Sequence, residues 1–177
     1  MRRLVIGLLV ATAALSTANA KITTDASPSA SFASYKTYYW AMKPTGISPL
    51  MQQRVVEGID ARLQAKGWTL GNSGDVALVA NVTTAKQHSL DTFYTGSAMG
   101  GWGWRGWGGG MGSATTTVDT YVTGTLIVDM FDASTKQAVW RGTATGTVSS
   151  SPDRNTKNLN KDLDKLFAKF PPGSATK

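Results

Sequence analysis

The chain has 177 residues, a formal net charge of +7, one histidine and no cysteine. The missing cysteine excludes disulfides, a thiolate nucleophile and a Cys-ligated metal. The modest positive charge favours anionic surfaces in general without choosing among them.

Residues 1–20 read as a Sec signal peptide rather than as part of the fold. Arg2 and Arg3 form a positive n-region, and Leu4 to Leu15 is an apolar run shorter than the roughly 20 residues that span a bilayer. Ala18-Asn19-Ala20 supplies the small-x-small pattern of a cleavage site. The mature chain is then expected to be a single domain over 21–177, exported, and without a transmembrane span. The position after cleavage holds Lys21, not the cysteine a lipoprotein requires, so no lipid anchor is expected. Losing the two arginines lowers the formal charge from +7 to +5. Outside the cytoplasm the anions to hand are lipid head groups, so nucleic acid is not an expected partner.

Ile22 to Asp25 is a candidate strand, and Tyr35 to Trp40 is a second, dense in strand-favouring aromatics. Ser48-Pro49 opens a helix, with serine as cap and proline in the first turn. Met51, Val55, Ile59 and Leu63 recur every four residues as its core stripe; Gly67 ends it, and Trp68 folds back on the last turn. From Asp75 to Thr84, Val76, Leu78, Ala80 and Val82 alternate as one buried strand face.

Two later runs alternate in the same way: Val118, Val122, Leu126, Val128 and Met130, then Ala138, Trp140, Gly142, Ala144, Gly146 and Val148. Asp132 to Lys136 is a connector of hairpin length, so the two runs should pair antiparallel. The small residues around Gly142 and Gly146 leave room for a helix to lie close. That helix begins at Ser151-Pro152, buries Leu159, Leu163, Leu166, Phe167 and Phe170, and stops at Pro171-Pro172. The sum is an α+β fold, a mainly antiparallel sheet with two amphipathic helices on one face.

Between the third strand and the hairpin, about 95–113, lies a Gly/Trp-rich loop. Over half of Gly96 to Gly112 is glycine, interleaved with Met99, Trp102, Trp104, Trp107 and Met111. Ordering so much glycine is costly, whereas tryptophan suits membrane interfaces and stacking on sugars. Trp102, Trp104, Arg105 and Trp107 are therefore the candidate contact residues. On the last helix Lys157, Lys161, Lys165 and Lys169 recur opposite the apolar stripe and add a candidate electrostatic surface.

Gly101 to Gly106 spells G-x-G-x-x-G, but no helical pattern follows to receive a phosphate, so no nucleotide site is assigned. His88, near Asp91, has no second histidine or cysteine as partner. Asp119 and Asp129 share a strand face yet stand about 33 Å apart, too far to act as an acid–base pair. No catalytic residue, metal ligand or cofactor is expected.

Phe32, Tyr35-Lys36-Thr37-Tyr38, Trp40, Leu63 to Trp68, the strand from Asp75, Tyr121, Gly124-Thr125-Leu126, Asp129, Asp132, Val139-Trp140-Arg141-Gly142 and Phe170-Pro171-Pro172 together resemble a bacterial envelope family of unknown function, the domain-of-unknown-function family numbered four-one-three-six. Members of that family are typically envelope lipoproteins, often with a Gly/aromatic loop in this place; this chain departs in lacking the lipidated cysteine. The resemblance implies the fold and the envelope, and carries over no activity.

The reading that results is a non-catalytic binding or assembly module of the periplasm or outer-membrane periphery. Its expected partners are outer-membrane lipid, lipopolysaccharide, peptidoglycan or another envelope protein. One alternative is a soluble periplasmic carrier whose small apolar or glycan ligand sits near Trp40, Trp68 and Trp140. Another is a hydrolase using His88 or a carboxylate.

Overall fold

The structure, a computed structural model, describes residues 20–94, 114–168 and 170–172, with backbone alone for 89–94 and 114–117. Its elements run β1 (Lys21–Ala26), β2 (Thr37–Met42), α1 (Pro49–Ala65), β3 (Thr69–Leu70), β4 (Val76–Tyr94), β5 (Ala114–Asp132), β6 (Ala138–Val148) and α2 (Pro152–Phe167). The strands form one sheet in the order β1-β6-β5-β4-β2-β3. The α+β class and the mainly antiparallel sheet are as the sequence implies.

Both helices begin as their caps dictate. The Ser48 hydroxyl accepts from the Met51 N–H at 3.3 Å and the Ser151 hydroxyl from the Arg154 N–H at 3.4 Å, each followed by proline in the first turn. Gly67 takes φ +83°, and the Trp68 N–H returns to the Leu63 carbonyl at 3.0 Å. This places the Trp68 indole against the aromatic core, only 4% exposed.

Three features correct the expectation. The sheet is mixed: β2 runs parallel to β4, with α1 as the crossover, and a two-residue β3 joins β2 in parallel, unforeseen because it is so short. The β5–β6 alternation breaks where Met130 pairs with Trp140 but Phe131 pairs with Ala138. The extra residue is Val139, so Val139 and Trp140 are both buried while Ala138 turns to solvent.

The largest departure is length. β4 and β5 each run 19 residues and pair without a break from Val76↔Asp132 to Tyr94↔Ala114. The strand expected to stop at Thr84 continues for ten residues because backbone pairing persists after apolar alternation has given way to Lys86, Gln87 and His88. Val118, expected in the core, lies on this extension and is 55% exposed.

The core gathers where the C-terminal halves of α1 and α2 meet the sheet. Ile59, Leu63, Leu78, Met130, Leu163 and Leu166 are fully buried there. Phe170 is also fully buried, ringed by Phe32, Trp68, Trp140 and Phe167 with centroids 5.2–5.8 Å away. Gly142 permits the close approach of α2, since a Cβ there would meet Leu166 Cδ1 at 2.9 Å and the Trp140 ring.

Candidate functional site

Two aspartates, Asp75 and Asp132, tie the segment leading into β2 to the ends of β4 and β5, and a third, Asp60 on α1, ties that helix to β2. Asp75 accepts from the Lys36 and Thr37 N–H groups and the Thr37 hydroxyl, all at 2.9 Å. Asp132 accepts from the Tyr35 hydroxyl at 2.8 Å and caps its own turn through the Ser134 and Thr135 N–H groups. Asp60 takes hydrogen bonds from the Tyr38 hydroxyl at 2.8 Å and the Trp40 Nε1 at 2.9 Å.

Hydrogen bonding from Ser134, Thr135 and Tyr35 holds the Asp132 carboxyl well below the usual carboxylate range, and the Lys36 and Thr37 donors lower that of Asp75. Burial, then its bond to Asp132, pushes Tyr35 up to about 12. Because the folded pKa values of the two carboxyls lie below the unfolded value of about 3.9, the unfolded chain takes up protons first as pH falls. Their contribution is complete above that value and is lost on further acidification. The thermal midpoint should therefore hold steady between about pH 7 and 5 and drop below about pH 4. Asp75→Asn and Asp132→Asn should each flatten that acid limb; an unchanged limb in both would exclude these carboxyls as its source.

The candidate contact residues divide. Trp102, Trp104, Arg105, Trp107 and Lys169 lie outside the described residues. Lys157, Lys161 and Lys165 are exposed on α2, along the flank that overhangs β1, where Lys165 borders Ile22 and Thr24. Asp164 on the same helix is turned to Arg62 of α1 at 2.7 Å, which leaves Lys157 and Lys161 outside the ion pairs seen among the described residues.

The chain that leads into the Gly/Trp segment is unusual. β6 ends its pairing at Val122↔Val148, yet β4 and β5 continue from Gln87↔Tyr121 to Tyr94↔Ala114 with no third strand among the described residues. These eight rungs make a two-stranded arm about 27 Å long. Residues 95–113 connect its far ends. His88 sits on the arm with Nδ1 3.0 Å from the Thr120 hydroxyl.

Trp40, Trp68 and Trp140, the residues expected around a carried ligand, are not brought together around one cavity among the described residues; Trp140 edges an open cleft beside Asp25, Asp129 and Arg141. Trp68 and Trp140 are packed into the aromatic core, and Trp40 is held by Asp60. A cavity of about 190 Å³ opens instead at the arm end of the domain, between the sheet and the N-terminal halves of both helices. Its apolar wall includes Met51, Val55, Val82, Leu126, Val148 and Leu159. Asn155, Asn158 and Asp162 edge it, and an adjoining cleft is flanked by Arg154 and Lys161. Burial pushes the Asp162 carboxyl up, against the opposing pull of Lys165 and Lys161.

Sequence reasoning missed this cavity because its lining reads as ordinary core stripe. The signal that locates it is Gly124, which pairs directly with Gly146 while Ala144 lies one position further along the same face. Three small residues side by side beneath the helices leave the space unfilled.

A family model described as a domain of unknown function, DUF4136, matches residues 22–172. No curated protein matches the chain by sequence. Among solved structures, a PDZ domain protein from Parabacteroides distasonis is similar at 12% identity and a TM-score of 0.54 over 92% of this chain. The match spans only 39% of that protein's length, and at this identity it shows the fold alone. A PelC dodecamer from Paraburkholderia phytofirmans is a looser likeness, with a TM-score of 0.46 and 15% identity over 83% of this chain and 96% of that one. The family match covers residues 22–172 of the 177-residue chain, and the chain belongs to the DUF4136 family.

Proposed function

We propose that this protein is an exported, non-catalytic binding module of the cell envelope that reaches an anionic surface with the far end of its β4–β5 arm. The observation that carries the reading is the arm itself: eight rungs of paired strand that, among the described residues, no helix covers and no third strand flanks. A two-stranded ribbon is marginal alone in water. Holding one out from a six-stranded sheet serves to present what it connects, and it connects Trp102, Trp104, Arg105 and Trp107. Indole rings suit the boundary between head groups and acyl chains.

Lys157 and Lys161 on α2 would add attraction to anionic head groups, worth about 1 kcal/mol per cation near such a surface and screened by salt. The test is pelleting with phosphatidylglycerol-containing vesicles across a salt series. Intact protein should pellet, and Lys157→Gln with Lys161→Gln should weaken binding about thirtyfold at low salt. Equal pelleting on purely zwitterionic vesicles would refute the anionic surface.

A second reading, a soluble carrier of a small apolar ligand, is favoured by one observation, the cavity between sheet and helices.

A further inference from the structure

The geometry points to an occupant for that cavity: a single-chain amphiphile, with its hydrocarbon tail between the helices and the sheet and an anionic head group in the adjoining cleft. This deepens the carrier reading and leaves the arm untouched. The size fits, since a dry apolar cavity of about 150 Å³ admits benzene, and about 190 Å³ takes a chain of roughly eight carbons.

The polarity is graded in the required direction. Apolar side chains from α1, β4, β5 and α2 make the inner wall, whereas the cleft carries Ser149, Arg154, Asn158 and Lys161. The two spaces adjoin, with Gly146, Thr147, Asn158 and Asp162 lining both. Among the described residues Asp162 is the one acidic group lining the cleft, against two cations in Arg154 and Lys161, so it keeps a positive balance. Asn155 is committed to Ser149, donating to its carbonyl and accepting from its N–H at 2.7 Å each. That fixes the N-terminal turn of α2 as a rigid rim rather than a plug.

Calorimetry on the intact protein with straight-chain carboxylates tests this. Affinity should rise about fourfold per methylene, the transfer value for a buried CH₂, and level off near octanoate. Ala144→Leu, which fills the wall, and Thr84→Phe, which narrows the exposed mouth, should each weaken octanoate about tenfold. Arg154→Gln with Lys161→Gln should weaken octanoate and octyl phosphate while leaving octanol unchanged. Octyl phosphate binding tighter than octanoate identifies a single-chain lysophospholipid as the source of the chain, and the reverse identifies a free fatty acid.

Several results would overturn the proposal. They are equal affinity for octanol and both anions, no binding of any of the three, and no effect of either cavity variant in a protein shown to be folded. Binding that emerges only after residues 95–113 are replaced by a short turn would assign the cavity to that segment and overturn it as well.

Discussion

Replacing Phe170 with alanine is expected to cost about 3–5 kcal/mol of folding stability, the range for deleting a buried aromatic ring. Phe170 lies beyond the last turn of α2, is fully buried, and meets the rings of Phe32, Trp68, Trp140 and Phe167. It thus joins four separate parts of the chain: the segment before β2, the turn after α1, strand β6 and helix α2 itself. The cavity its loss would leave is walled by large rings that also pack against one another and against Tyr35, so little collapse can refill it. A domain of this size has about 5–15 kcal/mol in total, and the thermal midpoint should fall by about 10–15 °C. Val118→Ala, on the exposed arm, should stay within about 0.5 kcal/mol. Denaturant unfolding followed by tryptophan fluorescence compares them, and a Phe170→Ala loss below about 1 kcal/mol would refute the central role given to the aromatic cluster.

Replacing residues 95–113 with Asn-Gly, a two-residue turn that closes the Tyr94↔Ala114 pair, should leave unfolding nearly unchanged. Closing a shorter loop costs slightly less entropy, and the sheet to which the arm belongs is untouched. Vesicle binding should instead weaken about a hundredfold. Withdrawing half the surface of an indole from water is worth about 2 kcal/mol, and three indoles are removed. Ordering a glycine-rich tether takes back a large part of that sum, which leaves about 3 kcal/mol net. A replacement that destabilises the domain severely would mean that the segment belongs to the core instead.

Much of the fold was legible because single residues announce it. Ser48-Pro49 and Ser151-Pro152 mark both helix starts, Gly67 marks an end, and the four-residue stripes on α1 and α2 pick out the faces that the structure buries. What stayed hidden is governed by partners distant in sequence. The bulge at Val139 depends on how β6 meets β5, and the parallel placement of β2 on how α1 crosses the sheet. The arm escaped detection because alternation reports burial rather than pairing: past Thr84 nothing among the described residues covers the face that was buried, so strand continues without its usual pattern. The cavity escaped for the converse reason, as Met51 and Leu159 obey a core pattern at a place where the core is incomplete.

The claim that the arm carries the contact can be measured with vesicles whose acyl chains bear bromine, a quencher of indole fluorescence. Trp68 and Trp140 are 4% and 2% exposed, and Trp40 is held by Asp60, so quenching reports on Trp102, Trp104 and Trp107. The account predicts strong quenching of the intact protein and none once residues 95–113 are replaced by Asn-Gly. Vesicle-bound protein with unquenched fluorescence, or equal quenching in both proteins, would contradict it.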